Sequence, residues 1–445
     1  RGRHHLSHKA VGVPGTVAGL AYAHERYGLL PWARLVEPAV RLARDGWRMT
    51  PGVATSLASI LPELRRYPAS VAAFSRDGEP YEPGDLFRQP DLARTLARIR
   101  DRGAEGFYAG ETARLIVAEM ERGDGLITLE DLARYEPVER APVRGTYRGY
   151  GVIGMSPPSS GGTVTVEMLN ILEGYDLAAM GHNTAPYLHH LAEAMRRGYR
   201  DRARWIADPD FEAVPVDRLT SDAYAAELRA GIRSDTVTPS SVEDAVPVAE
   251  SPETTHFSVV DRAGLAVSTT YTLEYSYGSR ITVPGAGFLL NNEMGDFNPA
   301  PGLTTEDGLI GTAPNLAEPG KRMLSSMSPT ILETPDGRLF AVLGTPGGRR
   351  IINIVLQTTL NLVDFEMDAL EAVQAPRIHH QWLPDDLDME GYDWSAEVLR
   401  GLRDRGHILD LKGGTFGHVH AIQVRDGVLL GAPDPRDPDA TAVGH

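Results

Sequence analysis

Two runs of β-branched and aromatic residues constrain this chain more than any other feature: 255–260 (Thr-His-Phe-Ser-Val-Val) and 265–273 (Leu-Ala-Val-Ser-Thr-Thr-Tyr-Thr-Leu), separated by Asp261-Arg262-Ala263-Gly264. Such runs form strands, and a three-residue loop over 262–264 with Gly264 in the left-handed conformation closes them into a hairpin. The loop length sets the register. Asp261 faces Leu265 and, counting outward, Thr254 faces Thr272. Opposed residues share a face, so two hydroxyls meet where the first strand begins. Upstream, the polar and proline-containing stretch 238–252 reads as an exposed linker. A linker that delivers a threonine to a strand start is where cleavage would unveil an N-terminal nucleophile. A hydroxyl needs a base within hydrogen-bond reach, and the α-amino group of an N-terminal threonine, with a pKa near ~7.7–8.0, can be that base. Taken alone, Thr254 and Thr255 read as ordinary strand residues, since threonine is favoured in strands.

The rest of the chain surrounds this hairpin with helices before and hairpins after. Residues 31–46 place Leu35, Ala39, Leu42 and Ala43 on one helical face, with Pro31 at the start and Gly46 at the end. Amphipathic patterns recur at 91–102 and 111–122, their basic residues reading as solvated faces, and Thr128 with Asp131 makes a capping box. Strands are predicted within 143–154, then helices at 163–173, 184–206 and 221–232. Ser159-Ser160-Gly161-Gly162 opens the first of these, either as an anion nest or as a tight strand-to-helix turn. Pro335-Asp336-Gly337 and Asp426-Gly427 close two further hairpins (329–344 and 419–431), and helices follow at 351–363 and 395–405. This order predicts an α+β fold with helices packed on antiparallel sheets.

Composition excludes several classes of function. A formal charge of −16 argues against a nucleic-acid footprint. No apolar run is long enough to span a membrane. The absence of cysteine removes disulfides, thiolate metal sites and a cysteine nucleophile. Histidines cluster at His4-His5, His189-His190, His379-His380 and His418-Val419-His420, but no acidic third ligand stands at an obvious spacing. With no Walker loop or dinucleotide fingerprint either, no metal and no cofactor are expected.

Three further stretches carry candidate chemistry. Gly347-Gly348 sits between a strand and the helix starting near Ile351, where backbone N–H groups can converge on an oxyanion or simply make a tight turn. Ser325-Ser326 offers two neighbouring hydroxyls that can donate to a carboxylate or be solvated. Glu274, Glu293 and Asp296 form an acidic set able to pair with an ammonium, or are surface charge.

The segments Thr254–Asp261, Thr270–Leu273 and Gly287–Phe297 resemble the γ-glutamyltranspeptidase family. So do Lys321–Thr330, Gly344–Gly348, Ala375–Pro384 and Pro157–Gly162, so that the resemblance runs over nearly the whole chain. It implies the N-terminal-nucleophile hydrolase fold, a four-layer αββα sandwich. It implies a precursor that cuts itself before Thr254 into a large subunit (1–253 here) and a small one (254–445), together forming one domain. The implied activity transfers the γ-glutamyl group of a glutathione-like donor to water or an amino-acid or peptide acceptor. In that pattern Thr254 is the nucleophile, Thr272 hydrogen-bonds it, and Gly347 and Gly348 form the oxyanion hole. Ser325 and Ser326 hold the donor's α-carboxylate, and Glu274, Glu293 and Asp296 hold its α-amino group. Many members have asparagine where this chain has Glu274, and 303–312 lacks the tyrosine gate some members carry. The resemblance also implies an arginine gripping the α-carboxylate from a stretch upstream of Arg1 and Arg3. The chain is therefore expected to start inside the large subunit. A periplasmic or extracellular enzyme is implied. The alternatives are a related acylase or poly-γ-glutamate hydrolase of the same fold, or an unprocessed non-catalytic homologue.

Overall fold

In the computed structural model the chain divides into two compact units, Arg1–Arg140 with Thr272–Gly295, and Ala141–Tyr271 with Asp296–His445. The structure describes residues 5–241, 254–298, 301, 305, 312–411 and 414–444. Arg1, Arg3, His4, Glu253, most of the expected linker and most of the 303–312 stretch lie outside these.

In the smaller unit, helices Trp32–Asp45, Pro90–Arg102 and Gly110–Arg122 form where the apolar periodicity places them, and the Thr128–Asp131 capping box is present. The buried face of the first helix differs from expectation. Val40 and Ala43 are buried, while Leu35, Ala39 and Leu42 are exposed. Two adjacent stripes of this helix are apolar, and packing against Pro90–Arg102 selects the other one. Residues 272–295 join this unit by burying Ile281, Val283, Ala286 and Leu290 among Ile99, Phe107 and Ile116. The Asn291 side-chain amide fixes the early chain by pairing with both backbone groups of Gly12, at 2.8 and 2.9 Å.

The larger unit is built on a six-stranded antiparallel sheet. Its strands are β1 (Val143–Tyr147), β2 (Tyr150–Gly154), β5 (Thr330–Glu333), β6 (Leu339–Gly344), β7 (His420–Arg425) and β8 (Val428–Pro433), in the order β8-β7-β6-β5-β2-β1. The hairpin β3 (Thr255–Val260) and β4 (Ala266–Tyr271) forms a second, two-stranded sheet. Its register is the expected one, Thr255 to Tyr271 through Val260 to Ala266. Gly264 is left-handed at φ 87°. Strand alternation separates the two faces of β6. Ala341 and Leu343 join the helix-packed core, while a Cβ on Gly344 would strike the His256 ring of β3. Helices α1 (Gly161–Leu172) and α3 (Arg350–Val363) thus cover one face, with α2 (Ala185–Trp205) packed on α1, and the hairpin packs on the other.

Helix α2 is buried along nearly its whole length although it carries a dense run of charge. Glu193 pairs with Arg196 (3.2 Å) and Arg197 (2.8 Å), and accepts from the Thr238 N–H and hydroxyl at 3.1 and 2.6 Å. Arg196 also contacts Ser240 and Asp385, whose carboxylate takes the Ser240 N–H at 2.8 Å. A buried charge is tolerated only when paired in this way, and the pairing anchors the last stretch of chain before residue 242.

Candidate active site

Thr254 is half-buried and directly precedes β3, one residue beyond the last ladder pair. The inner face of the hairpin below it is polar. His256 is buried, with Nδ1 2.7 Å from Thr270 Oγ1 and Nε2 3.1 Å from Ser258 Oγ. Ser258 donates to the His420 carbonyl (3.1 Å) and Ser268 to the Leu343 carbonyl (3.0 Å), which bonds the hairpin to β7 and β6. Burial, reinforced by the charge of His420, pushes His256 down to about 3, so its ring is neutral at physiological pH.

Gly347 and Gly348 lie between β6 and α3 with φ of 142° and 55°. Their carbonyls accept from Arg350 (3.0 Å) and Ile351 (3.1 Å), which starts the helix. Neither of their own N–H groups has a partner among the described residues. Gly417 packs against this turn, since a Cβ there would meet the Pro346 carbonyl at 2.3 Å.

Ser325 and Ser326 run beside residues 158–160. The Ser325 N–H donates to the Pro158 carbonyl (3.1 Å), and the Ser160 N–H and hydroxyl donate to the Ser325 carbonyl (2.8 and 2.7 Å). Added Cβ atoms on Gly161 and Gly162 would meet backbone carbonyls at 2.2 and 2.5 Å, so these glycines serve close packing rather than an anion nest. The buried Arg202 of α2 donates Nη2 to Ser326 Oγ (2.8 Å) and Nε to Ser160 Oγ (2.9 Å). Asn315 ties the same loop to Asp296. Its Nδ2 donates to the Asp296 carbonyl (2.7 Å) and its Oδ1 accepts the Leu324 N–H (3.0 Å). Asp296 itself is buried.

The remaining expected residues belong to the smaller unit. Thr272 Oγ1 accepts the Glu274 N–H at 2.8 Å. Glu274 is buried at a left-handed φ of 74°, and its carboxylate contacts Asn292 and stands 3.8 Å from His5 Nδ1. The Glu293 N–H donates to Asn291 Oδ1 at 3.1 Å. The acidic residues are therefore set in hydrogen-bonded turns rather than spread over solvent.

Sequence reasoning missed Arg202, Asn315 and Asn292. None of them left a local signal: Arg202 stands in a run as charged as a solvated face, and its partners Ser160 and Ser326 are distant in the chain. The histidine pairs His189-His190 and His379-His380 are spent on internal bonds: His189 with His407 (2.8 Å), His379 with Asn353 (2.8 Å) and His380 with Asp385 (3.2 Å).

Among solved structures, a cephalosporin acylase from Bacillus halodurans superposes with a TM-score of 0.85 at 28% identity, covering 99% of this chain and 81% of that one. The fold is thus that of the N-terminal-nucleophile hydrolases, as expected. The sequence profile of gamma-glutamyltranspeptidases matches residues 2–444, and the chain belongs to that family. It is 44% identical over 443 residues to the glutathione hydrolase proenzyme of Escherichia coli, covering 99% of this chain and 76% of the relative. It is 38% identical over 425 residues to the acylase ACY 1 proenzyme of Pseudomonas sp. (strain V22), covering 95% and 73%.

Proposed function

We propose that the chain is a γ-glutamyl hydrolase or transferase that processes itself before Thr254 into segments 1–253 and 254–445, the large and small subunits of one precursor. The observation that carries this reading is a half-buried threonine at the mouth of a hairpin whose inner face, near that end, holds the neutral hydrogen-bonding groups of His256, Ser258, Ser268 and Thr270. Once the preceding bond is cut, the new α-amino group is the base for the hydroxyl of the same residue. Thr254 Oγ attacks the γ-carbonyl of a glutathione-like donor and the amine takes the proton. The amides of Gly347 and Gly348 receive the oxyanion, supported by the open N–H groups of that turn. The amine leaves with a proton, and a γ-glutamyl ester remains on Thr254. Water or an amino-acid amine then resolves the ester in a ping-pong sequence.

Thr272 supports the nucleophile in this reading, and Glu274, Glu293 and Asp296 take the donor's α-ammonium. Ser325 and Ser326 take its α-carboxylate, and Arg202 supplies positive charge behind Ser326. Work outside the cytoplasm, in the periplasm or beyond the cell, follows the family pattern.

The second reading, an acylase for side chains such as glutaryl, is favoured by the acylase names among the relatives. It leaves the acidic set without a cation to bind, because a glutaryl group has no α-amine. An assay with γ-glutamyl-p-nitroanilide, with and without a dipeptide acceptor, against glutaryl-p-nitroanilide separates the two. Thr254→Ala should remain one full-length chain on a denaturing gel and release no p-nitroaniline, while Thr254→Ser keeps part of both functions. An active Thr254→Ala protein, or a new N-terminus at another residue, overturns the proposal.

A further inference from the structure

His418 and His420 stand two residues apart where the chain runs extended into β7, so their side chains share one face. The chain leaving β8 brings a carboxylate to that face. Asp437 donates its N–H to the Asp434 carbonyl (3.1 Å), and its Oδ1 accepts the Asp439 N–H (2.9 Å), which turns Oδ2 toward His418 Nε2 at 3.8 Å. One ligand atom from each of His418, His420 and Asp437 lies within 4.8 Å of the others. The 3.8 Å separation is too long for a hydrogen bond. It is close to the spacing of two ligands on one small ion, since metal–ligand bonds of about 2.0–2.1 Å set tetrahedral neighbours roughly 3.3 Å apart. Neither imidazole makes a hydrogen bond to another described residue.

The backbone under the three groups is fixed independently of them. Asp434, buried and paired with Arg377 and Arg436, takes the Val419 N–H between the two histidines at 2.9 Å. The His418 N–H donates to Thr345 Oγ1 at 3.2 Å, and His420 is held in register with Gly344 and Pro433. The His418 and Asp437 side chains keep 33% and 27% of their exposure, enough for an ion to enter with its water.

We propose that His418, His420 and Asp437 bind a first-row divalent transition-metal ion, zinc fitting best, with water completing the shell. Two imidazoles and one carboxylate with an open position suit zinc and disfavour magnesium or calcium, which take all-oxygen sites. The ion supplies no group to the reaction proposed above. It braces the Gly417–His420 segment that packs on the Gly347 turn, and the proposal stands whether or not that reaction is correct.

The test uses the whole chain stripped with EDTA and titrated with zinc chloride by calorimetry, with metal analysis after dialysis. One equivalent per chain, bound at micromolar concentration or below with a rise in Tm, is expected. X-ray absorption should show nitrogen and oxygen ligands at ~2.0 Å with imidazole scattering. His418→Ala and Asp437→Asn should each weaken binding at least about tenfold, while His24→Ala leaves it unchanged. Asp437→Asn keeps the shape of the side chain, so it serves if the histidine variant misfolds. Absence of zinc uptake, equal affinity for magnesium, or zinc binding unaltered in both variants overturns the assignment.

Discussion

Replacing His256 by asparagine should make the larger unit less stable at neutral pH yet less sensitive to acid. The ring is buried between β3 and β6 and held neutral, its pKa pushed down to about 3 by burial and by His420, against about 6.5 in an unfolded chain. The sign follows from linkage. Below pH 6.5 the unfolded chain takes up a proton that the folded chain refuses, so stability is present above 6.5 and is lost as pH falls toward 3. Over that window one histidine costs about 1.4 kcal/mol per pH unit, or about 2 kcal/mol between pH 6.5 and 5. The substitution also removes the bonds to Thr270 and Ser258, at roughly 1–3 kcal/mol. Urea unfolding at pH 7 and pH 5, read by near-UV circular dichroism, should therefore show a lower midpoint at pH 7 and a smaller drop at pH 5. His379 and His407, also held near 3 by burial, keep part of the slope in the variant. An unchanged difference between the two pH values would show that His256 is protonated in the folded protein, and the account of a neutral hairpin face would fall.

Three more substitutions probe the donor pocket and the core. Asp296→Ala should raise KM for γ-glutamyl donors by about tenfold or more, from about 1.5–3 kcal/mol per charged hydrogen bond. A glutaryl donor should barely respond; equal losses on both would make Asp296 structural. Arg202→Met, which leaves Ser326 and Ser160 without their donor, should likewise raise KM for γ-glutamyl-p-nitroanilide about tenfold or more. It should leave unchanged an analogue lacking the α-carboxylate. Glu167 is buried, and its pKa is raised by burial and by the charge of Asp201. Its stabilising proton is in place at acidic pH and is increasingly costly as pH rises above the ordinary carboxylate range, by about 1.4 kcal/mol per unit. Glu167→Gln should then raise Tm at pH 8 more than at pH 5 by calorimetry.

Local turn chemistry made the hairpins readable, while the layered fold around them was implied by the family resemblance. The hairpin register followed from a three-residue loop and one glycine, and the structure pairs the same residues. Asp426 and Gly427 both adopt positive φ, as the tightest hairpin turns require. The face of Trp32–Asp45 was not readable, because both stripes are apolar and only the partner helix decides between them. The small sheet of Ile378–His379, Leu387–Met389 and Leu409–Asp410 was equally hidden, since strands of two or three residues carry no periodicity.

The candidate site divides along the same line. Thr254, Gly347 and Ser325 stand in local patterns, a strand start, a strand-to-helix turn and paired hydroxyls, but each reads there as an ordinary structural residue, and the family resemblance alone implies its role. Arg202 and Asn315 stand in no such pattern, because their meaning lies in what they touch far along the chain. Asn315 joins the Asp296 turn to the loop entering Ser325, and Arg202 reaches from a buried helix to Ser326. A charged helix that is almost wholly buried is costly unless every charge is paired. The larger unit meets that cost with Glu193, Asp385 and the Ser160–Ser326 hydroxyls, and the same pairings hold in place the loop assigned to the donor. On the proposed assignment of that loop, stability and recognition share one set of buried bonds. Substitutions in α2 should then shift KM and the unfolding midpoint together, whereas substitutions at Thr254 should act on self-cleavage and turnover and leave the unfolding midpoint in place.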